Sequence, residues 1–129
     1  MVFTYEYDTD YNGPALPIVE ITVRSLGEND VSVVLQAVVD SGADATMIPL
    51  RSLNHMAARK VDTRRVRGIG GLSYPVDIYE VVLQLGSYTV PKVYTVADRQ
   101  NGGTILGRDV LNQFIVTLNG LAHVVEIQQ

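Results

Sequence analysis

The fold is decided by one stretch of the sequence, Val38-Val39-Asp40-Ser41-Gly42-Ala43-Asp44-Ala45-Thr46. Here an apolar strand runs directly into an acid, which is followed by a small hydroxyl residue and a glycine. Asp40 therefore sits where the strand ends and the chain turns. Gly42 allows a close backbone approach that a Cβ would block, and the Ser41 hydroxyl can fix the loop. By itself the Asp-Ser-Gly triplet also fits an ordinary turn, in which all three residue types are common.

Two further segments give this triplet a context. The first is Ile105-Leu106-Gly107-Arg108-Asp109, an apolar strand that ends in glycine and enters a short helix. The second is Gly68-Ile69-Gly70-Gly71, which lies between two strand-like runs. Each alone has a simpler interpretation, a flexible hairpin tip for the glycines and a surface charge at a helix start for Arg108. Together they place an acid loop, a glycine-rich tip and a Leu-Gly-Arg strand end in order along one domain.

Hydrophobic periodicity predicts strands in most of the chain. Apolar and polar residues alternate from residue 19 to residue 24, which is typical of a half-buried strand. Residues 31–39 are almost continuously apolar, and we expect a strand covered on both faces. Residues 81–85 predict another strand, and a change of phase in the residues before them predicts a bulge or strong twist near Tyr79-Glu80.

Turn residues mark the connections between these strands. Gly86-Ser87 predicts a tight hairpin, and Asn119-Gly120 predicts another between residues 115–118 and 121–127. Pro91 lacks a backbone N–H and indicates a sheet edge.

Helical signals are confined to two places. Residues 108–114 predict a short helix with Asp109 in its first turn, where the helix dipole favours an acid. Residues 50–58 predict only a weak turn. We therefore expect an all-β, barrel-like domain over residues 16–129 with one short C-terminal helix. Residues 1–15, rich in Tyr and acids, are expected to form an extended N-terminal arm.

Composition restricts the possible functions. The chain has 129 residues, a net charge of −4 and no cysteine, which excludes disulfides, thiol catalysis and cysteine-based zinc sites. The acidic balance argues against nucleic acid as the main partner. No segment approaches the roughly 20 apolar residues that span a bilayer, so we expect no membrane partner. No secretory signal is visible, and we expect a cytoplasmic protein unless it is released from a larger precursor.

The basic residues cluster in the middle of the chain, at Arg59, Lys60, Arg64, Arg65 and Arg67. The simpler interpretation of this cluster is a solvated loop and strand edge. The functional alternative is a rim that selects acidic substrates. The only histidines, at positions 55 and 123, lie far apart in the sequence, so we expect no metal site and no cofactor.

In the type and order of its three motifs, the sequence resembles the retropepsins, the retroviral-type aspartic proteases and their cellular and bacterial relatives. The resemblance covers about Val19 to Leu118. It implies a closed barrel with a flap hairpin, and it makes Asp40 the catalytic aspartate. Ser41 and Gly42 would support the active-site loop, and the Ser41 hydroxyl would interlock two subunits beneath it.

The resemblance implies further roles for residues around this loop. The substrate-binding residues would be Ala43, Asp44, Met47, Ile105 and Leu106. The tip of the flap would be Gly68, Ile69, Gly70 and Gly71. Arg108 would form an ion pair with Asp44 and brace the cleft.

Peptide hydrolysis by carboxylates needs two of them, one as a base that activates water and one as an acid. The chain contains a single Asp-Ser/Thr-Gly motif, so the second carboxylate has to come from another subunit, and a two-fold symmetric homodimer supplies it. The prediction is an aspartic endopeptidase that hydrolyses peptide or protein substrates with two Asp40 carboxylates. Two alternatives stay open. One is a catalytically silent module of the same fold that binds peptide or dimerises, and the other is an unrelated β-barrel ligand binder.

Overall fold

The computed structural model describes residues 1–27, 31–68 and 70–129. Its strands and helices, in chain order, are β1 Val2–Glu6, β2 Ile18–Arg24, β3 Ser32–Val39, β4 Met47–Pro49, α1 Leu50–His55, β5 Arg59–Arg67, β6 Ser73–Leu85, β7 Tyr88–Asp98, β8 Thr104–Leu106, α2 Arg108–Leu111, β9 Ile115–Asn119 and β10 Val124–Gln128. The protein is mostly β, as predicted from the sequence.

Six of the strands close into a barrel. Their hydrogen-bonded order is β2-β3-β8-β4-β7-β6, and β6 pairs again with β2 at Val23↔Leu83, which closes the ring. β5 lies outside the ring and pairs with β6 as far as Arg67↔Ser73. Because β7 pairs with β6 only from Ile78 onwards, the distal part of the β5–β6 hairpin extends beyond the barrel. Closure removes the free edges that an open sheet would expose.

A second, three-stranded sheet contains both ends of the chain, in the order β1-β10-β9. β1 pairs with β10 over its whole length, from Val2↔Gln128 to Glu6↔Val124. The first residues are therefore extended, as expected of an arm, but they are hydrogen-bonded to the C-terminal strand. The ring of Phe3 also packs edge-on against Tyr88 at a centroid distance of 5.4 Å, which connects this sheet to the barrel.

The core is a single cluster of aliphatic side chains. The alternation predicted in β2 is confirmed, because Val19, Ile21 and Val23 are all inward and at most 1% exposed. The terminal sheet contributes Val125 and Ile127 to the same cluster. Burial of each aliphatic side chain stabilises the fold by about 1.5–3 kcal/mol. Because the two sheets share this core, the same buried side chains stabilise both.

β3 differs from the expectation of a strand covered on both faces. Its first half alternates between exposed and half-buried residues, with Val34 58% exposed. Only Ala37 and Val39, near its C-terminal end, are buried. The run of valines therefore reflects the preference of branched side chains for the extended conformation as much as burial.

An irregularity lies at the position predicted near Tyr79-Glu80, because the register between β5 and β6 shifts beside Tyr79, between Lys60 and Asp62. β6 has a second irregularity slightly later. Its register with β7 shifts between Val81 and Leu83. Pro91 lies opposite this shift and before Val96, where β4 begins to pair with β7. Among the described strands, β6 is therefore the only neighbour of β7 at Pro91, which is the local sheet edge that a residue without an N–H requires.

Both predicted hairpins are present. Gly86 adopts a left-handed φ of 61° in the turn between β6 and β7, a conformation that favours glycine. The hairpin signalled by Asn119-Gly120 has a longer turn than predicted. Residues 120–123 form it, with His123 at φ 56°, so β10 starts at Val124 and not at Leu121.

Residues 1–27, 31–68 and 70–129 contain two helices, whereas one was predicted. α1 is a helix of six residues where only a weak turn was expected. α2 has four residues and ends at Leu111, so it is shorter than the predicted span to Phe114. Neither helix of the described chain has the length and apolar character needed to cross a membrane.

Candidate active site

Asp40 directly follows β3 at the point where this strand leaves β8. The two strands run parallel, with Val39 opposite Leu106, and the Asp40 N–H donates to the Leu106 carbonyl at 3.1 Å. Asp40 Oδ1 accepts a hydrogen bond from the Gly42 N–H at 3.0 Å. Within the described chain, Oδ2 has no hydrogen-bond partner. The loop therefore orients the carboxylate through one oxygen and leaves the other available.

The close approach of residue 42 to this carboxylate favours a glycine. A Cβ at this position would stand 3.2 Å from Asp40 Oδ1, which is tighter than an ordinary contact. The loop is closed by a further bond from the Ala43 N–H to the Asp40 carbonyl at 3.2 Å. Ser41 and Gly42 are both exposed in the single chain. The tight turn thus presents the predicted active-site residues at the surface.

Arg108 holds the far side of the same loop. Its Nη1 donates to the Ser41 carbonyl at 2.7 Å, its Nη2 forms an ion pair with Asp44, and its backbone N–H donates to Ala43 at 2.9 Å. The contact with Asp44 is the one implied by the resemblance. Because the Asp44 side chain is 91% exposed, the pair contributes little to stability by itself. Its effect is to fix the position of the loop.

A hydrogen-bond network around the buried Thr46, beneath the loop, was missed from the sequence. The Asp109 carboxylate accepts from the Thr46 N–H at 3.0 Å and from Thr46 Oγ1 at 2.8 Å. Thr46 Oγ1 accepts in turn from the Gly107 N–H at 3.1 Å, and the Thr46 carbonyl accepts from Thr95 Oγ1 at 2.9 Å. Thr46 is fully buried, so these bonds satisfy groups that water cannot reach. The sequence signal was a lone threonine in an otherwise apolar stretch.

Gly107 allows the start of α2 to pack directly against the loop. A Cβ on Gly107 would lie 2.6 Å from the Ala45 carbonyl carbon and 3.0 Å from the Thr46 nitrogen. Side chains do not tolerate such distances to backbone atoms. The glycine of the Leu-Gly-Arg motif is therefore required by close packing and not by an unusual backbone conformation, since its φ is −93°.

A cleft of about 970 Å³ begins at this loop. Its walls are formed by the loop and the barrel strands behind it, by the β5–β6 hairpin and by the end of β7, through Gly42, Ala43, Asp44, Ala45, Met47, Arg65, Val66, Arg67, Tyr74, Pro75, Val76, Val96, Ala97, Asp98, Arg99, Gln100 and Ile105. Asp40 and Ser41 precede Gly42 and lie outside these walls. The cleft of one chain therefore ends beside Asp40.

Most of the predicted substrate-binding residues lie on this cleft. Ala43, Asp44, Met47 and Ile105 are all part of its walls. Leu106 is not, because its side chain is fully buried in the barrel core. The role implied for Leu106 is therefore wrong for its side chain in this chain, and the reason is strand alternation. Ile105 and Leu106 are consecutive in β8 and point to opposite faces.

The glycine-rich tip joins β5 to β6. The Gly68 N–H donates to the Leu72 carbonyl at 2.9 Å, and the Gly71 N–H donates to the Gly68 carbonyl at 3.1 Å. Gly70 and Gly71 have φ values of 91° and 82°, which side chains rarely adopt. Ile69, which was predicted to be part of the tip, lies outside the described residues. The described glycines end a hairpin whose strands line the cleft.

Asp77 lies outside the cleft walls and is paired with Arg99, which is part of them. Asp77 accepts a hydrogen bond from Arg99 at 2.7 Å and lies 3.2 Å from the Lys60 ammonium. The hydrogen bond from Arg99, followed by that from Lys60, lowers the pKa of Asp77.

No group of three or more His, Asp or Glu side chains in the described ranges is arranged to hold a metal ion.

Comparisons with solved structures identify the fold. A retropepsin-like aspartic protease from Rickettsia conorii has a TM-score of 0.63 at 12% identity, covering 98% of this chain and 91% of that one. The EIAV protease in complex with the inhibitor HBY-793 has a TM-score of 0.60 at 24% identity, covering 80% and 91%. The protease of simian foamy virus (mac) has a TM-score of 0.54 at 21% identity, covering 74% and 91%. At these identities the similarity shows the fold alone.

The family is shown by the sequence itself. No curated protein matches the chain. The family model for retroviral aspartyl proteases matches residues 14–119, which include the Asp40 loop, the β5–β6 hairpin and the Gly107-Arg108 turn. The chain belongs to the retroviral aspartyl protease family.

Proposed function

We propose that this chain is an aspartic endopeptidase that works as a homodimer, to which each subunit contributes Asp40. The observation that carries the proposal is the geometry of the Asp40 carboxylate. One of its oxygens is fixed by the Gly42 N–H, and the loop that holds it borders a cleft whose walls are formed largely by strands. Such a group can act on a bound peptide, but a single carboxylate cannot be acid and base at once.

The chemistry follows from pairing two such groups. Two carboxyls about 3 Å apart cannot both ionise, so they share one proton, as in the dyads of aspartic proteases. The ionised partner then takes a proton from water as that water attacks the scissile carbonyl. The protonated partner donates its proton to the carbonyl oxygen, which gives a diol. As the C–N bond breaks, the first partner passes the proton that it took from water to the leaving amine, and the second recovers a proton from a diol hydroxyl. Because the pair titrates as a unit, its proton belongs to neither subunit alone.

The cleft suits an extended peptide. Its walls include the backbone of the Asp40 loop and of the β5–β6 hairpin, which can pair with a peptide main chain as an added strand does. In this proposal the hairpin is a flap. Its tip glycines allow it to move over the substrate and to exclude water from the carboxylates.

Asp40→Asn tests the catalytic role. The purified variant is expected to keep its thermal unfolding transition and to lose all cleavage of a peptide library. Asp10→Asn, which changes an exposed acid of the N-terminal segment, is the matched control and should cut at the wild-type rate. Cleavage by Asp40→Asn would remove Asp40 from the mechanism. Peptide binding by the wild type without cleavage at any pH would favour the catalytically silent module.

A mixing experiment tests the shared site. When wild type and Asp40→Asn are exchanged in equal amounts, random pairing of two-fold dimers leaves about one quarter as wild-type homodimer. If both carboxylates are needed, activity per dimer falls to about that fraction. Activity at about one half would show that each subunit works alone, because half of the Asp40 carboxylates remain.

A further inference from the structure

We propose that the cleft selects peptides with an acidic side chain, which Arg65 and Arg67 of the β5–β6 hairpin recognise. This inference rests on the proposed peptidase function and names its substrate class. Three observations carry it: where the structure places the basic cluster, how Arg65 is held, and which charges in the cleft are already neutralised.

The structure divides the basic cluster into two groups. Arg59, Lys60 and Arg64 pair with Glu80, Asp77 and Asp62 at 3.8, 3.2 and 2.9 Å, and none of them lines the cleft. Arg65 and Arg67, in contrast, are part of its walls. In the described chain, neither of these two arginines forms an ion pair. The interpretation as a solvated strand edge thus fits Arg59, Lys60 and Arg64. It does not explain why Arg65 and Arg67 face the cleft.

Arg65 is held in position for recognition. Its Nε donates to Ser73 Oγ at 3.1 Å and its Nη2 donates to the Ser73 carbonyl at 3.0 Å. A guanidinium has five N–H donors, so most of the donors of Arg65 remain free. Fixing an arginine before the ligand arrives lowers the conformational entropy lost on binding. An arginine fork also matches the geometry of a carboxylate.

Two of the other charged side chains of the cleft are in ion pairs. Asp44 is paired with Arg108, and Arg99 is paired with Asp77. The two oxygens of Asp98 accept from the N–H groups of Gln100 and Gly102 at 3.0 and 2.7 Å. These donors are neutral, so Asp98 keeps its charge, and the described cleft charges without an ion pair are two arginines and one carboxylate. The balance is one positive charge, in a chain whose net charge is −4. An anionic side chain bound there gains charge-assisted hydrogen bonds.

The test uses peptide pairs that differ only by Glu or Gln at one position, scanned along the sequence. At one or more positions the wild type is expected to cut the Glu peptide about tenfold faster in kcat/KM at low salt, which is the range of a charge-assisted contact. This ratio should fall as NaCl rises to 1 M, because salt screens exposed charges. Equal cleavage of the two peptides at every position would overturn the inference.

Variants locate the preference. Arg65→Gln and Arg67→Gln should each reduce the ratio of kcat/KM for the Glu peptide to that for the Gln peptide, and Arg67→Glu should bring this ratio below one. Arg64→Glu makes the same change of charge on the same strand but away from the cleft, and it should leave the ratio unchanged. If Arg64→Glu shifts the ratio as much as Arg67→Glu does, the effect is a general field of the protein and the proposed contact is wrong.

A binding measurement separates this inference from the proposed function. The Asp40→Asn variant is titrated with the fluorescent Glu and Gln peptides, and their dissociation constants are compared. Tighter binding of the Glu peptide supports the acidic preference, whether or not the wild type cuts. Absence of cleavage by the wild type would overturn only the proposed peptidase function. Equal affinity for both peptides overturns the acidic preference and leaves the peptidase standing if the wild type cuts.

Discussion

Gly107→Ala is the most direct test of how the Asp40 loop is positioned. The added Cβ would lie 2.6 Å from the Ala45 carbonyl carbon, 2.7 Å from its oxygen and 3.0 Å from the Thr46 nitrogen. These are backbone atoms and cannot rotate away. The φ and ψ of Gly107, −93° and −178°, are open to alanine, so the contact is the whole perturbation.

The magnitude follows from the distance that has to be recovered. An ordinary contact begins near 3.4 Å, so the Ala45–Thr46 segment or the start of α2 has to move by about 0.8 Å. Overpacking of this kind costs about 1–3 kcal/mol. For a domain of this size that corresponds to a fall in Tm of roughly 3–12 °C. Because the displaced segment continues into the Asp40 loop, a shift near 1 Å should also lower kcat/KM by about 100-fold.

The assays are thermal unfolding at a fixed protein concentration, since association changes apparent stability, and peptide cleavage. Gly103→Ala is the matched control. It lies in the segment before β8, and a Cβ there meets nothing within 4 Å. A Gly107→Ala protein that melts and cuts like Gly103→Ala would refute the packing account. A lower Tm with unchanged kcat/KM would refute the link between this contact and Asp40.

Three further predictions test other parts of the fold. Asp109→Ala removes the acceptor of a buried backbone N–H and hydroxyl, and we expect a loss of about 1–3 kcal/mol in denaturant unfolding, with Asp109→Asn intermediate. Ala57 has a left-handed φ of 53° after α1, so Ala57→Gly should raise the free energy of unfolding by about 0.5–1 kcal/mol. Ala58→Gly, at the next residue, should lower it. Changes of the same sign in the two variants would contradict this reason. The bond from Arg99 lowers the pKa of Asp77, so the ionised form of Asp77 stabilises the folded protein. This stabilisation is complete at neutral pH and is lost as pH falls below about 4. The Tm difference between wild type and Asp77→Asn should shrink over the same range, and a difference that persists at pH 2 would argue against it.

The local features of the fold could be predicted from the sequence because their causes are local. The alternation of β2 records which of its faces is buried, and Gly86 marks a turn because few other residues adopt its φ. Strand limits depend on partners far away in the chain. β10 begins at Val124 because His123 takes part in the turn, and Val34 is exposed because no described layer covers it. A run of apolar letters does not contain that information.

The supports of the candidate site were the hardest part to predict. Asp109 had a sufficient local explanation, an acid in the first turn of a helix. Its carboxylate instead binds Thr46, 63 residues earlier in the chain. Leu106 illustrates the converse. The motif suggested a cleft residue, and the pleat of β8 turns its side chain into the core. Both outcomes follow from how distant segments meet, which no local pattern encodes.

Several contacts within one chain hold the Asp40 loop, and this bears on what association has to supply. The loop is supported by the Gly42 N–H, the Arg108 fork and the Thr46–Asp109 network. In the proposed dimer, association therefore adds a second carboxylate to a loop that is already formed. Two ionised carboxylates 3 Å apart would repel by about 5 kcal/mol at an effective dielectric constant of 20. A shared proton removes that repulsion and leaves one acid and one base. In the proposed dimer, protonation of one carboxylate therefore both permits the two Asp40 side chains to approach and prepares them for catalysis.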